Sequence, residues 1–280
     1  MNMPPALWAM LVAPIWVALS TLIVALLVEY AGVTWISVLL LLGWGLGTVA
    51  ALGLDRRTRG PDMPGPGFGR PDPRLVLWAL LAGVGTAILS SEVDNLMRAR
   101  FETVEPTRPE TKALLTEGPM WLYGLVTGLF MPLTRAIVVH GIVLRNMVFS
   151  APMSWSIAFS TFAYFFSLSG DLSDWLKLAL PAGVAGWAYV RAHNVWVSTA
   201  ALVGSFSGVW FEVVGVGPGI PGFDHVDPTQ VLFQPFWFNA LGVVALAAGV
   251  GLLIREFERR PFSKLVLAAD ARRPGPSADD

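Results

Sequence analysis

The chain alternates between long apolar stretches and shorter stretches that are polar or rich in Gly and Pro. Most of the apolar stretches approach the roughly 20 residues with which an α-helix crosses a hydrocarbon core about 30 Å thick. Their hydrophobicity covers nearly the whole helix circumference, as in helices that face lipid or a bundle interior. The pattern predicts an all-α fold, a polytopic membrane helical bundle with about eight transmembrane helices. These helices are expected roughly at 6–29, 34–54, 74–92, 118–145, 151–169, 174–190, 194–214 and 231–254.

The overall composition agrees with a membrane protein and excludes several kinds of site. Of the 280 residues, 54% are hydrophobic and only 14% are charged, whereas a typical soluble domain is about one quarter charged. The absence of Cys excludes disulfides, thiolate metal ligands and cysteine catalysis. A formal net charge of -1 argues against a nucleic-acid partner. We expect no cofactor and no metal site.

Basic residues are distributed unevenly among the polar stretches, and this orients the predicted bundle. If the N-terminus and the 55–74 loop are cytoplasmic, the cytoplasmic segments hold 13 Lys and Arg residues and the opposite segments hold 4. Because cytoplasmic loops carry an excess of Lys and Arg, both termini are expected in the cytoplasm. The chain is then one transmembrane domain, 1–254, with a Gly/Pro-rich cytoplasmic loop at 55–74 and a partly disordered cytoplasmic tail at 255–280. Its preference for Arg over Lys, with abundant Ala, Gly and Pro, favours the lipid bilayer of a bacterial inner membrane.

Three short motifs recur in the order and spacing of a known group of membrane proteins. Residues 132–141 read PLTRAIVVHG, residues 186–191 read GWAYVR, and Val195-Trp196 follows. With these motifs, the core at about 118–214 resembles the CPBP family of intramembrane proteases, which includes CAAX proteases and bacteriocin-processing enzymes. The resemblance implies a multi-spanning helical bundle with a membrane-embedded site.

The positions that the family uses for catalysis differ in this chain. The resemblance places the family's paired Glu residues on Arg135 and Ala136, and its following Arg on His140. The family's next His falls at Leu168 or Phe166, because 141–192 contains no His, and its last His and Asn fall at Leu202 and Phe206. Activation of water needs a titratable base, which Leu and Phe cannot supply. The resemblance therefore implies a degenerate member without proteolytic residues, and no catalytic residue is predicted.

Arg135 and His140 are the candidate ligand-binding residues. A guanidinium inside an apolar helix costs at least about 2.5–3.5 kcal/mol near mid-membrane unless it is paired or reaches water. Arg135 could therefore face a cavity that holds an anionic ligand or a lipid headgroup, or it could pair with helix-end carbonyls or extend to the aqueous surface. His140 lies five residues later, which in an α-helix points it about 140° away. It could instead be a satisfied polar residue near a helix end.

Other polar and small residues are assigned structural roles. We expect Arg145 and Asn146 at the membrane interface, and an ion pair between Glu212 and Lys177 if the sixth and seventh helices are neighbours. The stretch DHVD at 224–227 combines imidazole with carboxylates but offers too few ligands for a metal site. Small residues four apart are expected to form helix-packing seams, namely Gly43 with Gly47, Gly124 with Gly128, and Gly204 with Gly208.

Three functions remain open from the sequence. The favoured one is a proteolytically inactive membrane protein that serves as a scaffold for a membrane-protein partner or binds a lipid or peptide. The first alternative is an active intramembrane endopeptidase whose catalytic groups are relocated to Glu92, Asp94 and Glu117, beside the third and fourth spans. The second alternative is a small transporter or channel, in which Arg135 is the one deeply placed ionisable residue.

Overall fold

A computed structural model describes residues 4–31, 35–101, 119–166, 172–208, 217, 219–223, 231–260 and 263–271. Within these ranges the regular structure is helical, so the predicted all-α class is confirmed. Numbered in chain order, the helices are α1 Pro5–Ala31, α2 Ile36–Thr58, α3 Pro73–Phe101, α4 within 120–148, α5 Met153–Phe166, α6 Leu172–Ala192, α7 Val195–Ser205, α8 Phe236–Glu258 and α9 Lys264–Asp270.

Helix α4 changes its hydrogen-bonding pattern along its length. Its consecutive segments are α-helical Met120–Leu125, π-helical Val126–Phe130, α-helical Met131–Arg135, π-helical Ala136–Leu144 and α-helical Arg145–Val148. The first π segment ends two residues before Pro132, which has no N–H to donate to the carbonyl four residues earlier. Turns of π-helix are rare in proteins, and those that occur are often found at functional sites.

Five helices of the described residues are long and apolar enough to cross a membrane. They are Pro5–Tyr30, Ser37–Thr58, Pro73–Arg100, Trp121–Val148 and Phe236–Glu258. The chain is therefore a multi-pass helical membrane protein, with five candidate spans where the sequence predicted about eight. The other three predicted spans correspond to α5 and α7, which run for 14 and 11 residues, and to α6, whose apolar sequence contains Lys177 and Arg191.

Helix α3 lies at the centre of the bundle and packs against α6, α7 and α8. Its glycines allow neighbouring backbones to approach closely. A Cβ on Gly83 would lie 2.1 Å from the carbonyl oxygen of Ala201 in α7, and one on Gly85 would lie 2.4 Å from the backbone nitrogen of Leu246 in α8. In lipid the hydrophobic effect does not drive helices together. Small residues at such crossings allow the close van der Waals packing that drives association instead.

One of the predicted glycine seams is present in the bundle, and another is present only at Gly204, since a Cβ on Gly208 would meet nothing closer than the Phe223 ring at 4.0 Å. Gly43 and Gly47 of α2 lie against Val24 and Ser20 of α1, and Gly204 of α7 lies against the backbone of α3. The packing role expected for these three glycines is confirmed.

One end of the bundle, here called the basic end, gathers the loops that the sequence assigned to the cytoplasm. These are the stretches 59–72, 149–152 and 193–194, together with residues 259–260 and 263–271. Arg260 donates to Asp72, which joins the end of α8 to the start of α3. Ser263 donates to the carbonyl of Val190 at 2.7 Å, which holds α9 against α6. These loops lie at the same end of the bundle, in agreement with the charge distribution along the sequence. The orientation of this end toward the cytoplasm stays a prediction.

The Gly/Pro-rich loop and the predicted tail are both held against the bundle where the structure describes them. Helix α2 extends through Thr58, so the first residues of the predicted 55–74 loop are helical. The remainder, 59–72, has no helix or strand, yet Met63 and Pro66 are buried. In the tail, α9 buries Leu265 and Ala269 completely or almost completely.

At the opposite end of the bundle, Lys177 lies 3.4 Å from the Asp94 carboxylate. The expected ion pair between Lys177 and Glu212 falls outside the described residues. Glu92 accepts hydrogen bonds from the Gln234 backbone at 3.0 Å and from the Asn95 side chain at 3.1 Å. Glu92 and Asp94, proposed above as relocated catalytic groups, thus tie α3 to its neighbours at this end.

The α3–α7 seam predicts a strong effect of one methyl group. Gly83→Ala is expected to lower the free energy of unfolding by about 1–3 kcal/mol, because the added carbon meets backbone that cannot move aside. Thermal unfolding in detergent measures this effect. Gly251→Ala in α8 is the control, since a Cβ there meets nothing within 4 Å. An unchanged unfolding midpoint for Gly83→Ala would contradict the close crossing.

The Asp72–Arg260 contact predicts a pH dependence of stability. The hydrogen bond from Arg260, together with one from the Arg74 backbone N–H, lowers the pKa of the Asp72 carboxyl below its ordinary value of 3.8. A lowered pKa means that the stabilisation is full well above the ordinary value and is lost as the pH falls through the folded-state pKa. The difference in unfolding midpoint between the wild type and Asp72→Asn should therefore be constant near neutral pH and shrink below pH 3.8. A difference that persists unchanged at lower pH would show that the charge of Asp72 is unimportant.

Candidate functional site

The half of α4 that approaches the basic end carries a set of basic side chains inside the bundle. From Met131 to Val148 nearly every residue is buried. Within this apolar helix, basic residues occur at every fifth position, namely Arg135, His140 and Arg145, which we call the polar column. All three are at most 3% exposed.

The wide turns of α4 change the expected geometry of the polar column. The predicted angle of 140° between Arg135 and His140 holds for an α-helix, but Ala136–Leu144 is π-helical. Hydrogen bonds in a π-helix join residues five apart, so such residues lie closer to one face than they would in an α-helix. Even so, no hydrogen bond among the described residues joins Arg135 to His140. Each has its own partner on a different helix.

Arg135 is a buried cation whose described neighbour is an aromatic ring. Its guanidinium carbon lies 5.4 Å from the ring centroid of Tyr164 in α5. Such a contact is worth about 2 kcal/mol or more when it is shielded from water. The Nε atom has no hydrogen-bond partner, and no carboxylate of the described residues forms an ion pair with this side chain. At 3% exposure, Arg135 does not extend to the aqueous surface.

His140 is completely buried and half satisfied. Its Nδ1 lies 2.5 Å from Ser198 Oγ in α7, and its ring is stacked with that of Tyr189 in α6, with centroids 6.4 Å apart. Its Nε2 has no partner. A Cβ on Gly186 would lie 3.6 Å from this nitrogen and 3.5 Å from Ser160 Oγ, so the glycine leaves room beside it for a group about the size of a methyl.

Arg145 and Asn146, which the sequence places at the membrane interface, are buried within the bundle near the end of α4. Arg145 is fully buried and forms an ion pair with Asp55 at the end of α2. Trp8 of α1 donates to the same carboxylate oxygen at 3.4 Å. The Asn146 side chain donates to the carbonyl of Ile142 at 2.7 Å. The Asp55 partner was missed because it lies 90 residues from Arg145, although an Asp at the end of an apolar helix was a usable signal.

The position at which the resemblance to the CPBP family places that family's last His is occupied by Leu202, which is fully buried in α7. Leu168 lies outside the described residues. The described part of the chain contains no group of three or more His, Asp or Glu residues that could hold a metal ion, and the DHVD stretch at 224–227 falls outside it.

The Asp55–Arg145 pair predicts a large asymmetry between single and double substitutions. Asp55→Asn is expected to destabilise the fold by about 3–5 kcal/mol, because it leaves a buried guanidinium without its counter-ion. The double variant Asp55→Asn/Arg145→Met should be more stable than the single variant, since no unpaired charge remains. Unfolding in detergent tests both.

The control is the more exposed Lys177–Asp94 pair, whose side chains are 31% and 29% exposed. Asp94→Asn should cost about 1 kcal/mol or less. Equal effects at Asp55 and Asp94 would contradict the special role of the buried pair.

Comparison of the chain with models of known protein families, with curated proteins and with solved structures found no match. The fold and the composition together support one identification. The chain is a multi-pass helical membrane protein with a buried basic column on its fourth helix.

Proposed function

We propose that this membrane protein binds an anionic lipid and that Arg135 holds the lipid's phosphate or carboxylate group. The proposal is carried by the observation that Arg135 is a buried cation without a described counter-ion. The side chain is 3% exposed, its Nε donor has no partner, and no described carboxylate forms an ion pair with it. In this view the protein is a binding protein rather than a protease.

The energetics favour an anion beside Arg135. An unpaired charge in a low-dielectric interior is costly, and the aromatic contact with Tyr164 offsets only about 2 kcal/mol of that cost. A ligand anion would supply both the missing negative charge and an acceptor for the Nε–H group. A hydrogen bond of this kind to a charged group contributes roughly 1.5–3 kcal/mol.

The surroundings of Arg135 favour a lipid over a peptide as the source of the anion. On α4, the half before Met131 exposes Trp121, Leu125 and Leu129, which are 64%, 41% and 41% exposed. On α5, Phe162 is 43% exposed and lies two residues before Tyr164. Large apolar side chains that face the hydrocarbon thus flank both helices that hold the buried cation. An acyl chain could lie along this surface while its anionic group reaches inward.

A relation to the CPBP family is part of the proposal. The residues that carry the resemblance include Gly186 and Tyr189, which lie beside His140. In this view the family's catalytic site has been replaced by apolar residues such as Leu202 and by the cation of Arg135. His140 contacts Ser198 rather than a carboxylate, so no acid and base pair of a hydrolytic site forms at His140.

Lipid binding by purified protein tests the proposal. Native mass spectrometry in detergent can compare phosphatidylglycerol and oleate, which carry a phosphate and a carboxylate, with zwitterionic phosphatidylcholine. The wild type is expected to bind at least one of the two anionic lipids about ten-fold more tightly, a difference of about 1.4 kcal/mol. Arg135→Gln should remove this preference. Which of the two anionic lipids is preferred identifies the anionic group.

Arg191→Gln is the matched control for the loss of one positive charge. Arg191 lies over the Phe257 ring at 5.6 Å at the basic end of the bundle, so its replacement should leave the preference unchanged. Equal binding of the three lipids by the wild type would overturn the proposal. Cleavage of a membrane peptide by the pure protein would favour the endopeptidase alternative, and substrate flux in proteoliposomes that Arg135→Leu abolishes would favour the transporter.

A further inference from the structure

A short part of the Gly/Pro-rich loop lies in a defined position at the basic end. Residues 63–69 read MPGPGFG, and we call them the Gly/Pro segment. They lie against the turn between α6 and α7, residues 189–195, which we call the α6–α7 turn. The Gly/Pro segment has no secondary structure, so its carbonyl groups accept no hydrogen bonds within a helix. They need donors from elsewhere in the protein.

The α6–α7 turn provides a donor for four carbonyls of the Gly/Pro segment. The His193 ring nitrogen lies 2.9 Å from the Gly65 carbonyl, and the Tyr189 hydroxyl donates to Pro66 at 3.0 Å. The Val195 backbone N–H donates to Gly67 at 3.0 Å, and the Asn194 amide donates to Gly69 at 2.8 Å. Many proteins bind a peptide through hydrogen bonds between fixed groups of the protein and the main chain of the peptide.

Two positions in the Gly/Pro segment are selected by shape. Pro66 is buried, and its Cβ lies 3.0 Å from where a Cβ of Gly141 would be. Gly67 has φ +85, and a Cβ there would lie 2.3 Å from the His193 carbonyl oxygen. The next side chain, Phe68, is 46% exposed. The turn therefore accepts a Pro followed by a Gly and makes little use of the side chain after them.

The backbone of the α6–α7 turn is itself strained. His193 has φ 44, the only positive φ of a non-Gly residue in the part of the chain that the structure describes. Such a conformation costs of order 1 kcal/mol or more and is common where a protein holds a ligand. Here it directs the His193 ring toward the Gly65 carbonyl and its own carbonyl toward Gly67. Asn194 meanwhile caps α7 through its side-chain oxygen, which accepts from Trp196 N–H at 2.9 Å.

We propose that the α6–α7 turn is a binding site for a peptide containing Pro-Gly, and that the Gly/Pro segment occupies this site within its own chain. The ligand class is a short peptide that presents main-chain carbonyls to Tyr189, His193, Asn194 and Val195, with Pro at the Gly141 slot and Gly at the next position. The site lies beside His140 through Tyr189 and Gly141. It is separate from the lipid site proposed at Arg135 and does not depend on it.

A synthetic peptide of residues 61–71, PDMPGPGFGRP, with a fluorescent label is the probe. A segment tethered in the same chain competes at an effective concentration of about millimolar, so the wild-type protein should not bind the peptide measurably. Gly67→Ala in the full-length protein weakens the tethered segment, and this variant is expected to bind the peptide at least ten-fold more tightly than the wild type. The same peptide carrying Gly67→Ala should not bind. Gly60→Ala is the control variant, because a Cβ there meets nothing within 4 Å.

A second variant repeats the test without changing the α6–α7 turn. Pro66→Ala in the protein removes the Pro that fills the Gly141 slot, and it too should bind the peptide more tightly than the wild type, as anisotropy measurements would show. The proposal is overturned if neither Gly67→Ala nor Pro66→Ala binds the peptide, or if the Gly67→Ala peptide binds equally well. Peptide binding should persist in the double variant Gly67→Ala/Arg135→Gln, which separates this outcome from that of the lipid experiment.

Discussion

The requirement that buried charged and polar groups find partners organises much of this bundle. Helix α4 carries Arg135, His140 and Arg145 through an apolar interior, and each of these side chains has a partner of a different chemistry. An aromatic face shields the first, a hydroxyl contacts the second, and a carboxylate neutralises the third. Because these partners come from α5, α7 and α2, the polar contacts of one helix fix the positions of three others.

The bundle combines this polar interior with a second, apolar way of holding helices together. Around α3, the backbones of α7 and α8 approach so closely that a single methyl group would not fit. Helix association in lipid relies on such contacts and on hydrogen bonds, because the solvent is as apolar as the side chains. The glycine crossings set the spacing at the centre, and the polar column specifies which helices surround α4.

The features that the sequence predicted are those that depend on neighbouring residues. Long apolar runs indicated the class, the approximate bounds of α1, α2 and α8, and the start of α3, since length and composition alone determine whether a helix can span a bilayer. Helix α3 continues to Phe101, nine residues beyond its predicted end, because its last turns are polar. Arg135 stood out because every residue around it is apolar or small. The partners of Arg145 and His140 lie 90 and 58 residues away, and only the packing of the chain selects them. The π turns were equally hidden, because no local pattern distinguishes them from an α-helix.

The wide turns of α4 also affect how this helix responds to a change of length. A π turn accommodates about one residue more than an α turn does. A residue lost from Ala136–Leu144 can therefore be absorbed by narrowing a wide turn, which leaves Arg145 directed toward Asp55 and Arg135 toward Tyr164. A residue lost from a regular α-helix would instead rotate everything beyond it by about 100° around the helix axis. Deletions are therefore less disruptive in the wide turns of α4 than in the α-helical spans around it.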